Sequence, residues 1–353
     1  MSKTIINITA LLLLMLSTIS CKKELETTDK REIESVEIPF ALVIHGGAGT
    51  IKKANMTDEQ EIAYTKKLQE ALDTGYGILE NGGTAIEAVQ KTINIMEDSP
   101  LFNAGKGAVF NSLGKQEMDA SIMDGKTLNS GAVAGVSLIK NPINAAILVK
   151  DSTRHMLLSG KGAEEFAKQF NLNFEDESYF FTEKRFNQLQ KAQKKEKVIL
   201  DHTALNSSYL IDDHKYGTVG CVAIDKDHNI AAGTSTGGMT NKKFGRIGDS
   251  PIIGAGTYAN NQTCGVSATG TGEYFIRTLA AHQVSNLVQL KKLKLKDALK
   301  QVIHVDIDSL GGDGGLIALD KNANIAWDFN TEGMYRGFKK STGENVIEIY
   351  NKN

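Results

Sequence analysis

The stretch HKYGTVGCVAID, residues 214–225, decides the fold of this chain. Its second half is built of small and apolar residues from Val219 to Ile224 and ends at Asp225, which predicts a short buried strand. The strand would open at Thr218, directly after Gly217. A threonine in that position is most often structural, because β-branched residues favour strands. Thr218 taken alone therefore predicts a strand start and nothing more.

The residues that follow Thr218 favour a second interpretation. Residues 219–273 include STGGMTNK, GRIGDSP and SATGTGE at short intervals, a density of Gly, Thr and Ser that a sheet core does not require. We therefore hypothesise that the protein cleaves its own chain between Gly217 and Thr218. In this hypothesis Thr218 becomes a new amino terminus and acts as the catalytic nucleophile.

The segment before this junction has a different composition. Residues 183–217 are lysine-rich and polar and have no sustained apolar stripe, which predicts a mobile linker. Its charge is most simply that of a solvated surface, not of a nucleic-acid site. A flexible segment in this place could carry the new chain end away after cleavage.

Hydrophobic patterns on both sides of the junction predict an α+β fold. Because the strands fall into hairpin sets, we expect antiparallel sheets covered by helices instead of an alternating parallel sheet. Upstream we predict a strand over 38–50 with a Gly-rich turn at 45–49, helices over 58–79 and 85–96, the second capped by Thr84, an irregular loop from 97, strands near 116–124 and 131–139, and helices at 142–147 and 159–172. Downstream we predict the hairpin 218–237 with its tip at Asp227–His228, a loop at 241–249, a helix over 270–290, a second helix near 295, and closing strands.

Length and composition describe an ordinary globular protein. The 353 residues are 41% hydrophobic and have a formal net charge of −2, so no basic surface for nucleic acid is expected. The chain has 34 glycines but only 4 prolines. Such an excess is typical of tight turns and of backbone lying close to a ligand.

The amino-terminal residues predict export. Residues 1–20 combine a lysine, an apolar core and small residues before Cys21, which is typical of a lipoprotein signal peptide with Cys21 as the lipidated residue. Residues 21–37 are charged and predict a tether. The protein would then lie in the periplasm or at the cell surface, held to the membrane only by its lipid. An uncleaved membrane anchor and a plain secreted protein are the alternatives.

Two cysteines lie in the body of the chain. Cys221 and Cys264 occur in apolar, strand-like surroundings, so we expect free structural thiols, although one disulfide is the alternative. No spacing of His and Cys residues is typical of a zinc site.

Eight segments occur in an order that resembles one protein family. They are HGGAG, FNAGKGAVF, MDASIMDG, GAVAGV, GTVG, STGGMTNK, GRIGDSPIIGAGTYA and SATGTGE. Together they resemble the plant-type asparaginase and isoaspartyl peptidase family of the N-terminal nucleophile hydrolases, over residues 38–340. The resemblance implies an αββα sandwich of two antiparallel sheets between helical layers. It also implies cleavage into an α subunit, 38–217, and a β subunit, 218–353, which pair as a dimer of αβ heterodimers.

The resemblance also implies the roles of the central site residues. It places the Thr236 hydroxyl beside the nucleophile Thr218, although a strand-end threonine is the plain alternative. Thr269 and Gly270 would form the oxyanion hole, a hydroxyl and a main-chain N–H directed at the developing negative charge. Thr269 could instead be a helix cap.

The charged residues of GRIGDSP are assigned by the same resemblance to the substrate. Arg246 would bind the α-carboxylate, for which a forked guanidinium is suited, and Asp249 would accept the α-ammonium. A loop salt bridge between these two residues is the alternative. Gly272 and Asn103 would be further substrate contacts.

A structural sodium ion is implied by the resemblance alone, because main-chain ligands leave no side-chain signature. The resemblance implies no cofactor for catalysis. The residues that would hold the ion through their backbone are Met96, Glu97, Ser99, Phe102, Ala104 and Lys106.

The activity predicted from this resemblance is hydrolysis of two kinds of small substrate: L-asparagine, to aspartate and ammonia, and β-aspartyl (isoaspartyl) dipeptides. The free α-amine of Thr218 could act as the base, since such amines titrate near pH 7.7–8.0. A glycosylasparaginase acting on glycan-linked asparagine is the enzymatic alternative. A lipid-anchored amino-acid or peptide binding protein that uses Arg246 and Asp249 without turnover is the non-enzymatic one.

Overall fold

The computed structural model describes residues 39–202 and 217–351. The predicted signal peptide, Cys21 and the tether lie outside these ranges, and so do residues 203–216 of the predicted linker. Within the described ranges, no helix combines the length and the apolar character needed to cross a bilayer.

Two sheets form the centre of the protein. Their strands are β1 Ala41–Gly49, β2 Met118–Asp124, β3 Ser130–Val136, β4 Leu157–Ser159, β5 Val219–Ile224, β6 Ile230–Thr236, β7 Thr257–Ala259, β8 Cys264–Gly270, β9 Gly314–Asp320, β10 Ile325–Phe329, β11 Gly333–Lys340 and β12 Asn345–Tyr350. The larger sheet has the strand order β12-β11-β1-β5-β6-β2-β3-β4 and the smaller β10-β9-β8-β7. Because β1 pairs with both β5 and β11, residues before and after Gly217 share one sheet.

Helices cover the outer face of each sheet. The α-helices of the described residues are α1 Asp58–Glu80, α2 Ala85–Glu97, α3 Pro142–Ser152, α4 Gly160–Gln169, α5 Glu177–Phe180, α6 Glu183–His202, α7 Gly272–Thr278, α8 Ala280–Leu290 and α9 Leu295–Gln301. A π-helical turn, Val302–Ile307, extends α9. The hydroxyls of Thr57 and Thr84 cap α1 and α2 by accepting backbone N–H groups, which confirms the predicted cap at Thr84.

Apolar side chains fill three layers. Leu68 and Ile93 belong to the core under α1–α3 on the larger sheet, and Val284 belongs to the core under α8 and α9 on the smaller one. Val222 and Ile317 lie in the core where the two sheets face each other. The predicted αββα sandwich is confirmed. The short pair β3–β4 is parallel, and the other strand pairs of the described residues are antiparallel.

The predicted linker is wrong for residues 183–202, which form α6. Arg185 and Leu189 are buried there, and the Phe186 ring packs against Phe110 and Phe181. Three anchoring side chains are enough to hold a helix against a domain, although they are too few to form a visible apolar stripe.

Two other local predictions need correction. Residues 45–49 are not a turn but the end of β1, with a bulge between His45 and Gly47. The helix predicted over 270–290 is two helices, because Leu279 adopts a left-handed φ of 47° between α7 and α8. In both places the chain bends without a proline, the signal that marks a break most clearly in a sequence.

Candidate active site

The junction Gly217–Thr218 lies in a small cleft of about 40 Å³ at one end of the two sheets. Every predicted site residue of the catalytic and substrate-binding sets lines this cleft except Gly272, which packs directly behind it. The lining residues are Ala48, Asn103, Val109, Gly217, Thr218, Thr236, Gly238, Met239, Thr240, Arg246, Gly248, Asp249, Ser250, Thr269 and Gly270.

Strand register brings the first two threonines together. β5 pairs with β6 so that Val219 faces Ser235, which places Thr218 beside Thr236. Their Oγ1 atoms are 3.0 Å apart, and the Thr236 Oγ1 also accepts the N–H of Gly238 at 3.0 Å. Thr218 Oγ1 is therefore within hydrogen-bond distance of a hydroxyl that the backbone holds in place.

The residue before Thr218 has to be a glycine. Gly217 has a φ of +112°, a region that residues with a side chain rarely adopt. A Cβ on Gly217 would lie 2.3 Å from the backbone nitrogen of Asn103, and a Cβ on Gly47 would lie 2.3 Å from the nitrogen of Gly217. Three segments of backbone thus meet at the junction with no space for a methyl group.

Asn103 holds this arrangement together. Its main-chain N–H donates to the Gly217 carbonyl at 2.8 Å. Its side chain donates to the Gly238 carbonyl at 2.7 Å and accepts the N–H of Val109 at 2.9 Å. Asn103 lies in the cleft as predicted, yet its amide is already engaged by backbone. A contact between Asn103 and substrate stays a prediction.

The predicted oxyanion pair lies at the end of β8. Thr269 is buried, and its Oγ1 accepts the N–H of Ala48 at 3.4 Å. Gly270 follows it into the cleft. This contact joins the second sheet to the Gly-rich end of β1, so residues from both sheets form the walls of one site.

Residues 38–349 match the family model described as asparaginase. The match covers more than half of the chain. The chain belongs to the asparaginase family.

Several curated relatives agree with this assignment over nearly their whole length. The isoaspartyl peptidase of Escherichia coli is 48% identical over 309 residues, which are 88% of this chain and 95% of that protein. The plant-type L-asparaginase of Pyrococcus furiosus is 42% identical over 308 residues, 85% of this chain and 96% of that protein. The isoaspartyl peptidase/L-asparaginase of Danio rerio is 39% identical over 293 residues, 83% and 90% of the two chains.

In the cleft of this asparaginase-family chain, Arg246 and Asp249 do not form the loop salt bridge that the sequence left open. Arg246 instead makes a bidentate pair with Glu273, with its Nε 2.9 Å from Oε1 and its Nη2 2.8 Å from Oε2. A Cβ on Gly272 would lie 2.9 Å from Arg246 Nη2 and from Asp249 Oδ1, so glycine lets the two side chains approach. Glu273 was not singled out from the sequence, because its distance of 27 residues from Arg246 conceals the pairing.

Asp249 is buried and only partly satisfied. Its Oδ2 has no hydrogen-bond partner among the described residues. Burial raises the pKa of Asp249 to about 7, while the nearby Arg246 opposes the rise. An unpaired buried carboxyl at the edge of a cleft favours a cationic ligand group.

His45 is a further polar residue that sequence reasoning missed. It is fully buried in β1, and its Nδ1 lies 3.0 Å from the carbonyl oxygen of Thr218. Burial lowers the pKa of His45 to about 3, so the ring is neutral. The motif HGGAG drew attention to this segment, but only the pairing of β1 with β5 shows which atom the ring contacts.

The predicted cation loop follows α2 and is tightly closed. A Cβ on Gly105 would lie 2.3 Å from the Glu97 carbonyl oxygen, and one on Gly107 would lie 2.0 Å from the Phe102 carbonyl oxygen. The side chains point elsewhere: the Glu97 carboxylate accepts from Ser235, and the Phe102 ring packs against Tyr64. These distances show that the backbone packs closely around both glycines, and a small cation held by the main-chain oxygens of this loop stays a prediction. The two Cys residues of the body, Cys221 and Cys264, are buried free thiols elsewhere in the sheets.

Proposed function

We propose that this protein is a self-cleaving amidohydrolase whose nucleophile is the amino-terminal Thr218, and that it hydrolyses L-asparagine and β-aspartyl dipeptides. The observation that carries the proposal is the 3.0 Å contact between the hydroxyls of Thr218 and Thr236, in a cleft shared with Arg246, Asp249 and Thr269. The relatives named isoaspartyl peptidase and L-asparaginase support the same activity.

Self-cleavage is supported by the arrangement around the Gly217 carbonyl. In our proposal the Thr218 Oγ attacks the carbonyl carbon of Gly217 and passes its proton to the neighbouring polar groups, with Thr236 nearest. The Asn103 N–H, 2.8 Å from the carbonyl oxygen, stabilises the charge that develops there. The C–N bond then breaks and the Thr218 nitrogen takes a proton, leaving an ester. Water hydrolyses the ester into a Gly217 carboxylate and a free Thr218 amine and hydroxyl.

The catalytic cycle repeats this chemistry on a substrate. The Thr218 amine takes the proton of its own hydroxyl, and Oγ attacks the carbonyl carbon of the substrate's side-chain amide. The Thr269 hydroxyl and the Gly270 N–H stabilise the oxyanion; the loss of one such donor typically costs about 2.7–4 kcal/mol of barrier. The leaving nitrogen takes the proton and departs as ammonia from L-asparagine, or as the α-amine of the second amino acid from a β-aspartyl dipeptide. Water then hydrolyses the β-aspartyl ester and releases aspartate.

Recognition would rest on the two charges of an amino-acid head group. Arg246 presents its remaining N–H groups to the α-carboxylate while Glu273 holds the guanidinium in position. The unpaired Oδ2 of Asp249 accepts the α-ammonium. A glycosylasparaginase or a binding protein without turnover would use the same two charges, so the experiment has to separate chemistry from binding.

Expression of the full chain tests the proposal. We expect a denaturing gel to show two fragments, the smaller beginning at Thr218, and we expect release of ammonia from L-asparagine and of aspartate from a β-aspartyl dipeptide. Thr218→Ala should abolish both cleavage and hydrolysis, whereas Thr218→Ser, which keeps a hydroxyl, should retain part of both. A parent chain with no fragment starting at Thr218, or undiminished hydrolysis by Thr218→Ala, would contradict the proposal. Faster hydrolysis of a glycosylated asparagine would favour the glycosylasparaginase.

We further propose a backbone-bound sodium ion in the loop 96–106, which would fix the loop that carries Asn103 when bound. The residues offered are those predicted from the sequence, and tight closure of the loop around Gly105 and Gly107 supports it. A fall in melting temperature when sodium is exchanged for a bulky organic cation would support the ion, and an unchanged value would oppose it.

Export and lipid anchoring at Cys21 also remain our proposal, supported by the composition of residues 1–21. Recovery of the parent in the membrane fraction and of Cys21→Ser in the aqueous fraction would support the anchor.

A dimer of αβ heterodimers is proposed on the family resemblance. Chromatography with light scattering measures the number of subunits.

A further inference from the structure

A row of buried polar side chains crosses the space between the two sheets and ends at the nucleophile residue. His45, Thr234, Thr257 and Ser267 are each fully buried there. The surrounding core is apolar, with Val222 and Ile317 among its members. Polar groups in such a place are costly unless each is hydrogen-bonded, so each of these four side chains needs a hydrogen-bond partner inside the core.

The contacts form a continuous chain. The Thr257 and Thr234 hydroxyls are 2.6 Å apart, and the Thr234 and Ser267 hydroxyls are 2.7 Å apart. Ser267 Oγ lies 2.9 Å from His45 Nε2, and His45 Nδ1 lies 3.0 Å from the Thr218 carbonyl oxygen. Each separation is a hydrogen-bond distance. We call Thr257, Thr234, Ser267 and His45 the hydroxyl–histidine chain.

The direction of the protons follows from the Thr218 end of this chain. At the other end, Thr257 Oγ1 accepts from Ser121 Oγ at 2.7 Å, and Ser121 Oγ also lies 2.6 Å from the Ser250 carbonyl oxygen. The carbonyl of Thr218 can only accept, so the proton lies on Nδ1 of His45. A neutral ring then has a lone pair on Nε2, which must accept from Ser267. Ser267 donates its only hydroxyl proton to Nε2, so it can only accept from Thr234. Because Thr234 then donates to Ser267, it accepts from Thr257. The Gly256 carbonyl oxygen is a second acceptor near the Thr234 hydroxyl, at 3.0 Å. It does not depend on the Thr234 proton, because it accepts the N–H of Ala268 at 2.9 Å.

The backbone of β5 leaves space for the hydroxyl–histidine chain, and the end of the β1–β5 ladder leaves the Thr218 carbonyl for His45 to bind. A Cβ on Gly220 would lie 2.0 Å from Ser267 Oγ and 2.2 Å from His45 Nε2, so only glycine fits in β5 at this position. The ladder between β1 and β5 ends at the pair His45 and Gly220, and Thr218 lies beyond it. The His45 imidazole therefore binds the Thr218 carbonyl in place of the backbone N–H that a continued β1–β5 ladder would supply.

We propose that His45, oriented by Ser267, Thr234 and Thr257, is a positioning residue that holds the Thr218 carbonyl and thereby aims the nucleophile. This proposal rests on the proposed function of Thr218. Once cleaved, Thr218 is joined to the protein only through its own carbonyl carbon. The hydrogen bond from His45 fixes the plane of that carbonyl group and with it the position of Cα, from which both the amine and Oγ1 extend. Chains of hydrogen bonds that point one way polarise one another, which strengthens the last donor.

The experiment uses the full chain and four substitutions. His45→Ala removes the donor, and His45→Asn restores an N–H group near the position of Nδ1. Ser267→Ala keeps the ring but removes the hydroxyl that donates to its Nε2. Ser285→Ala is the matched control, because it removes a buried hydroxyl pair with Thr263, 2.6 Å long, at the outer side of the same small sheet. Turnover is expressed per free Thr218 amino terminus, so incomplete self-cleavage does not lower the value.

We expect kcat to fall about 100-fold in His45→Ala, as misplacement of a reacting group typically costs, and to recover at least partly in His45→Asn. In Ser267→Ala we expect kcat to fall about 10-fold, as the loss of one hydrogen bond typically costs. KM should change by less than about 3-fold throughout, because the residues proposed to bind substrate, Arg246 and Asp249, are untouched. Ser285→Ala should keep the parental kcat. If His45→Ala is not cleaved at all, Ser267→Ala and His45→Asn provide the comparison.

Equal kcat in Ser267→Ala and Ser285→Ala, together with no recovery in His45→Asn, would overturn the positioning role. A nitrogen-15 spectrum gives a second readout that is independent of turnover: the resonances absent from His45→Asn should be those of a neutral ring protonated at Nδ1 from about pH 5 to about pH 8. A ring protonated at Nε2 would also overturn the proposal. A parent chain without hydrolytic activity would instead refute the proposed function.

Discussion

Gly47 and Gly217 pack against each other so closely that a Cβ on Gly47 would lie 2.3 Å from the backbone nitrogen of Gly217. The contact joins the bulged end of β1 to the residue whose carbonyl is the proposed site of self-cleavage. Gly217 itself has a φ of +112°, and Asn103 holds its carbonyl. The geometry of the junction is thus imposed by segments that are far apart in the sequence.

Gly217→Ala is therefore expected to slow self-cleavage at least about 10-fold, because the new methyl group meets Asn103 and the φ angle is strained by roughly 1 kcal/mol or more. Gly82→Ala is a suitable control, since Gly82 has a φ of +80° but nothing within 4 Å of its missing Cβ. The time course of fragment appearance on a gel measures the rate. Equal rates for both variants would show that the contact at the junction is unimportant.

The Arg246 guanidinium should govern substrate binding. In Arg246→Lys the bidentate geometry with Glu273 and the fork offered to a carboxylate are both lost. We expect KM to rise about 10- to 100-fold, as for the loss of one charge-assisted hydrogen bond, with a much smaller change in kcat. Arg277→Lys in α7 is the control, because Arg277 lies over the Tyr274 ring and outside the cleft. A fall in kcat at constant KM would assign Arg246 to the chemical step instead.

Asp249 predicts a pH dependence of binding. Its pKa is raised to about 7 by burial, so the carboxyl is neutral below that value and ionised above it. An α-ammonium pairs only with the ionised form, and binding therefore weakens as the pH falls. The inhibition constant of L-aspartate should be about 10-fold higher at pH 6 than on the plateau above pH 8. In Asp249→Asn this dependence should disappear, and a dependence that persists would point to another group.

Phe102 should be a large contributor to stability because its ring is fully buried beside Tyr64 and Tyr335. Phe102→Ala is expected to lower the free energy of unfolding by about 3–5 kcal/mol. Phe244 is fully exposed, and Phe244→Ala should change it by no more than about 0.5 kcal/mol. Denaturant unfolding of both variants measures the difference. Similar losses in the two variants would contradict the packing argument.

Local sequence was sufficient for the features that depend on near neighbours. The helices α1 and α2 could be predicted because their apolar periodicity and the Thr84 cap lie within a few residues of each other. The strand that opens at Thr218 and the hairpin tip at Asp227–His228 were predicted for the same reason. The resemblance to the asparaginase family could also be found from the sequence, because it depends only on short motifs and on their order along the chain.

Local sequence failed where distant residues decide. Residues 183–202 look polar, yet Arg185 and Leu189 anchor them as a helix in pockets formed by other segments. The bulge in β1 depends on its ladder with β11, which is almost 300 residues away along the chain. Secondary structure of this kind is stabilised by tertiary contacts, and intrinsic propensity is too weak to reveal it.

The sequence by itself determined that Thr218 follows a glycine at the start of a buried strand, and that the chain carries the site residues that a resemblance to the asparaginase family implies. Only the tertiary structure decided what each of them touches. Thr236 faces Thr218 through the register of β5 and β6, Arg246 pairs with Glu273 and not with Asp249, and His45 holds the Thr218 carbonyl. These contacts depend on strand register and on the stacking of two sheets, which are set by the packing of the whole core and not by any single segment.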